Sequence, residues 1–133
     1  MSNKPKPVKI TRVYAENGKS LFGELEIEIE SLDFAPPAPP LNRSPWFPAA
    51  RCFLWVQPPG WVGEWHCPPA RLIFSILTGT FGVEVSSGER REFSAGEVAL
   101  FEDNPGQGHR SWVVGNTEAR VMVVQVADNA LLR

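Results

Sequence analysis

The chain has 133 residues, a formal net charge of −2 and 21% charged side chains. That length suits one domain able to bury about two thirds of its unfolded surface, and the near-neutral balance leaves no electrostatic footprint for nucleic acid. Two cysteines are too few for a disulfide framework, MSNKPKPVKI lacks the apolar core of a signal peptide, and no apolar run approaches the ~20 residues of a membrane span. A cytoplasmic protein with no membrane partner is expected.

Thirteen prolines and eleven glycines argue against long helices. Residues 1–7 read as a frayed prolyl tail. Val8 to Ala15 is a short β-type run, followed by the turn signal Asn17-Gly18. From Phe22 the chain alternates. Leu25, Ile27 and Ile29 share one face, and Glu24, Glu26, Glu28 and Glu30 the other. Period two means a strand with one buried face and one solvated face.

Residues 34–48 contain APPAPPLNRSPWFP. This composition reads as a stiff, extended connection that Trp46 and Phe47 pin to the body. A rival reading makes it a ligand for another protein's aromatic groove. Residues 50–57 form a strand ended by Pro58-Pro59-Gly60, and Val62 to Cys67 a short strand ended by Pro68-Pro69. Residues 71–77 are apolar on both faces, which places them mid-sandwich or in a subunit interface. Further strands follow at 81–85, 90–93, 98–101, 109–114 and 120–126, and residues 127–133 suit one helical turn. Nearly every run is short and turn signals recur at near-regular spacing, the pattern of an all-β sandwich or barrel.

The stretch from Gly60 to Asn116 holds both histidines. Five residues separate Gly60 from His66; Cys67 and Pro68 follow, then Leu72 three residues on and Gly79 six residues after that. Later come Gly96, Gly106 and His109 in GERREFSAGEVALFEDNPGQGH. This resembles the two motifs of the cupins, small jelly rolls also described as double-stranded β-helices. The first motif is Gly, five residues, His-x-His, three or four residues, Glu, six residues, Gly. The second is Gly, five residues, Pro-x-Gly, two residues, His, three residues, Asn, here with two extra residues between Gly96 and Gly106 and with Val113 in the last place. The run also resembles a functionally undefined bacterial cupin subgroup. The resemblance covers roughly residues 50–126, so one cupin domain over 1–133 is expected, with residues 1–48 as an N-terminal arm and Pro-rich connection.

In metal-binding cupins three histidines and the glutamate hold one ion. Here Pro68 stands at the second histidine and Leu72 at the glutamate. The resemblance therefore implies either no cofactor or one divalent metal (Fe, Mn, Zn or Ni). On a strand Glu64 points the same way as His66, so Glu64, His66 and His109 form the candidate metal set, with Glu102 or Asp103 reaching in from the loop. The candidate ligand-binding set is His66, His109, Leu72, Phe74, Arg71 and Trp112. Arg71 is a candidate carboxylate clamp, against a salt-bridge role. Trp61, Trp65 and Trp112 are a candidate aromatic wall, against a place in the core or an interface. Cys67 alternates away from His66. The glycines before His109 allow a positive φ or bulge that aims it inward.

Small-molecule binding at a degenerate metal site is thus the leading functional expectation. A metal-dependent dioxygenase or isomerase is the rival. A homodimer is expected from the two-sided strand at 71–77 and from an N-terminal arm that adds to a partner sheet.

Overall fold

The computed structural model describes residues 5–127, and the helical turn expected at 127–133 lies almost wholly outside them. Among the described residues every regular element is a strand. In chain order these are β1 (Val8–Glu16), β2 (Lys19–Ile27), β3 (Glu30–Leu32), β4 (Leu41–Arg43), β5 (Ala49–Gln57), β6 (Leu72–Thr78), β7 (Thr80–Val85), β8 (Arg90–Ser94), β9 (Val98–Glu102), β10 (His109–Val114) and β11 (Ala119–Val126). Among the described residues no helix is long and apolar enough to cross a membrane.

A six-stranded sheet runs β2-β1-β9-β6-β11-β5, facing a three-stranded sheet β10-β7-β8. Chain neighbours are mostly not sheet neighbours, the crossing connectivity of a jelly roll. The alternating pattern of β2 is realised, with Leu25 and Ile27 buried and Glu24 and Glu26 exposed. Val13, Val83, Phe101, Val121 and Val123 fill the space between the sheets. Truncating such a core side chain typically costs about 2–5 kcal/mol.

β1 pairs with β2 and β9 of its own sheet, and β2 is the edge strand there. Two expectations need correction. The Pro-rich segment is not an extended connection, because β4 folds back antiparallel onto β3. Phe47 anchors that hairpin against the apolar cluster on the outer sheet face, whereas Trp46 is 75% exposed. Residues 62–67 are no regular strand, since only Val62 and His66 make ladder bridges, to Trp112 and His109.

Candidate functional site

The last correction decides the site. On a regular strand Trp61 and His66, five residues apart, would face opposite ways. A bend at Trp65 breaks the alternation, and both residues line one cavity. His66 and His109 exchange both backbone hydrogen bonds, each N–H donating to the other's carbonyl at 3.0 Å. Directly opposed residues of an antiparallel pair present their side chains on one face, and the two imidazoles stand 4.8 Å apart between centroids.

What permits this approach is Gly108, with φ +76°. A Cβ there would overlap the His66 carbonyl oxygen and come within 2.5 Å of its carbon. The loop before His109 is also latched to the β1–β2 turn. Gln107 N–H donates to Gly18 O at 2.8 Å, and the buried Ser20 hydroxyl donates to Gly108 O at 2.5 Å. Ser86 N–H and Ser20 N–H each donate to the other's hydroxyl oxygen at 2.7 Å.

Each ring has one nitrogen fixed. His66 Nδ1 lies 2.8 Å from Glu64 O, and a carbonyl oxygen only accepts, so Nδ1 carries the proton. His109 Nδ1 lies 2.7 Å from Asp103 Oδ2, with both side chains buried. An ionised carboxylate likewise only accepts, so it holds the Nδ1–H tautomer and fixes the ring. The free position in both histidines is Nε2. Asp103 Oδ1 is buried without a hydrogen-bond partner.

The histidines form one wall of a cavity of about 580 Å³ between the sheets. Phe53, Trp55, Trp61 and Phe74 make its aromatic lining, and Leu72 is among its aliphatic side chains. Trp55 meets Trp61, Phe74 and Phe81 edge-on at centroid distances of 5.3, 5.6 and 5.0 Å. Both indole N–H groups are satisfied by one acceptor. With the Gln57 amide oriented so that its oxygen faces the two indoles, Oε1 accepts from Trp55 Nε1 at 2.7 Å and from Trp61 Nε1 at 3.3 Å. At the rim Arg51 Nε donates to Gln125 Oε1 at 2.7 Å.

Of the residues singled out in the sequence, His66, His109, Leu72, Phe74 and Trp61 come together here. Glu64, Arg71, Trp112 and Trp65 do not line the cavity. Glu64 is exposed and engages His66 through its backbone carbonyl. Arg71 precedes β6 on the face opposite Leu72 and pairs with Glu102 at 3.6 Å, which Arg12 also holds at 3.0 Å. Glu102 therefore serves two arginines, and Asp103 is the loop carboxylate that reaches the site. Trp112 alternates outward from the buried Ser111 and Val113 and lies against Gly82, with the Arg90 guanidinium 5.3 Å above it. Trp65 stacks beneath Arg110 at 5.6 Å. Cys67 turns to donate to Gly106 O at 3.1 Å.

A tight divalent site needs three or more protein ligands. Among the described residues no three His, Cys, Asp or Glu side chains group to hold an ion. The cavity that both imidazoles line has Leu72 in its wall and no carboxylate side chain among its lining residues, so this donor set does not fit a resident metal.

No protein-family model matches the chain, and no curated protein matches its sequence. Solved structures do. The cupin domain of Schizosaccharomyces pombe Cnp3 aligns over 93% of this chain and 86% of its own, with TM-score 0.51 at 12% identity. The chain has a cupin fold. A predicted oxalate decarboxylase from Thermotoga maritima aligns over 95% of this chain and 96% of its own, at 21% identity and TM-score 0.49. A cupin-2 domain protein from Shewanella frigidimarina aligns over 96% and 85%, at 13% identity and TM-score 0.46. At such identities the likeness concerns the fold, and a cupin fold hosts many functions. The function has to be argued from the cavity.

Residues the sequence reading missed are Trp55, Gln57 and Phe81. Trp55 and Gln57 sit on the inward side of β5, and the period-two pattern of that strand carried the signal.

Proposed function

We propose that this cupin binds a small organic molecule between its aromatic lining and its two imidazoles, at a metal site that has become degenerate. The observation that carries the reading is the His66–His109 pair, with both Nδ1 atoms held and both Nε2 atoms left to a cavity of ligand size. Neutral imidazoles with Nε2 free are acceptors, so the cavity favours a planar or apolar body carrying a hydroxyl or other donor. Phenol and catechol, compared with toluene, are suitable probes, read by the emission of Trp55 and Trp61. The hydroxylated probes should bind more tightly than toluene, and His109→Ala should erase the preference. Equal binding of all three, or a preference that survives His109→Ala, would count against the reading.

Asp103 favours a second reading. A carboxylate on Nδ1 positions an imidazole to accept a proton at Nε2, so the pair supports acid–base chemistry on a bound hydroxyl without a metal. A substrate that is still bound but no longer turned over by His109→Gln would support it; turnover unchanged in that variant would exclude it.

A further inference from the structure

The cavity has a charged end that neither the imidazole pair nor the aromatic lining accounts for. Of the described residues that line it, Arg51 alone carries a formal charge at neutral pH. The strand registers fix its place. Arg51 on β5 pairs with Gln125 on β11, Gln125 with Leu72 on β6, and Leu72 with Phe101 on β9. These residues form one row across the inner face of the large sheet, about 14 Å from β5 to β9 at the ordinary strand spacing. At the β9 end the Phe101 ring lies 4.7 Å from the His109 ring. The row thus has the guanidinium at one end and the histidine pair at the other. The neighbouring row, Phe53-Val123-Phe74, supplies an apolar floor beside it.

We propose that Arg51 recognises a carboxylate, so that the cavity takes a hydroxylated aromatic acid, its hydroxyl at the imidazoles and its carboxylate at the guanidinium. The inference rests on the organic-ligand reading of the cavity and narrows it to a class of ligand. The guanidinium is oriented: Gln125 Oε1 accepts from Arg51 Nε at 2.7 Å. That contact leaves both terminal nitrogens, the fork that grips a carboxylate in two parallel hydrogen bonds. It is also uncommitted. Among the described residues Arg12, Arg71, Arg90, Arg91, Arg110 and Arg120 each meet a glutamate, whereas Arg51 meets no carboxylate. Arg71, the clamp expected from the sequence, is engaged by Glu102 off the cavity. No carboxylate lines the cavity, so an anionic ligand meets no like charge there. The polarity of the two ends sets the direction of binding. Two Nε2 acceptors repel an anionic oxygen and welcome a hydroxyl donor, which sends the carboxylate to the arginine end. Arg51 is exposed at the mouth, so the ligand-free protein carries no unpaired buried charge.

Calorimetric titration of the full chain with para-hydroxybenzoate and para-hydroxyphenylacetate, each against its methyl ester, tests this. Acid and ester share the same body and differ in charge, and the comparison on the wild type needs no variant. At neutral pH at least one acid should bind at least tenfold more tightly than its ester. Arg51→Gln should abolish that preference. Arg51→Lys, which keeps the charge without the planar fork, should retain only part of it. Esters that bind as tightly as both acids overturn the proposal, and so does a preference for the acid that persists in Arg51→Gln. In either case phenol binding that depends on His109 would leave the organic-ligand reading standing without it. Failure of phenol, acids and esters alike to bind overturns both.

Discussion

Replacing Gly108 with alanine should dismantle the histidine pair. Two costs combine. At φ +76° a side chain is strained by about 1–2 kcal/mol. The added Cβ also lands on the His66 carbonyl and within 2.9 Å of Cys67 N. Both are backbone atoms, so relief requires parting the two segments and losing the reciprocal His66–His109 hydrogen bonds, at about 1 kcal/mol each. The total is about 3–4 kcal/mol, or a Tm lowered by on the order of 10–15 °C for a chain this long. Gly88 supplies the control, because its φ is +102° and a Cβ there meets nothing within 4 Å. Gly88→Ala should therefore show only the conformational cost, about 1–2 kcal/mol. Thermal unfolding of both variants, with NMR contacts between the two imidazoles, makes the comparison. Equal destabilisation within about 0.5 kcal/mol, or imidazoles still in contact in Gly108→Ala, would refute the close-approach argument.

Asp103→Ala should leave His109 Nδ1–H buried and unpaired, at about 1–3 kcal/mol by denaturant titration, with loss of any protected Nδ1 proton signal in NMR. Glu84 accepts hydrogen bonds from Arg110 Nε and Nη2 at 2.8 Å, with Arg90 at 3.2 Å. The hydrogen bond from Arg110, then the charges of Arg110 and Arg90, hold its carboxyl below the ordinary value of 4.5 despite some desolvation. A lowered carboxylate pKa stabilises the fold above its unfolded value, and that contribution is lost as pH falls through the folded value. Glu84→Gln should therefore melt below the wild type at neutral pH, with the gap closing in acid; a gap constant with pH would contradict this. Leu72→Glu puts a carboxylate into the wall of the cavity that both imidazoles line, and calorimetry should detect zinc or nickel binding that His66→Ala abolishes.

The fold was legible because its signals are local. Alternation in β2, β-rich runs and turn glycines each act within a few residues, and both histidines stand at spacings characteristic of the cupin motifs. The site was less legible. Glu64 was expected beside His66 on the premise of a regular strand, and the bend at Trp65 removes that premise. The partner that does fix an imidazole, Asp103, depends on the path of a six-residue loop. Trp112 and Arg71 lie off the cavity for an opposite reason: alternation held, and it carried them to the other side from Ser111 and Leu72.

The central claim is that the two imidazoles serve an organic ligand, the ion-binding set having lost its third donor. Elemental analysis of the full chain, equilibrated in turn with iron, manganese, zinc and nickel and then desalted, tests it most directly. The account predicts far less than one equivalent of any of the four, at a level unchanged by His109→Ala. One tightly retained equivalent that disappears in His109→Ala would contradict it.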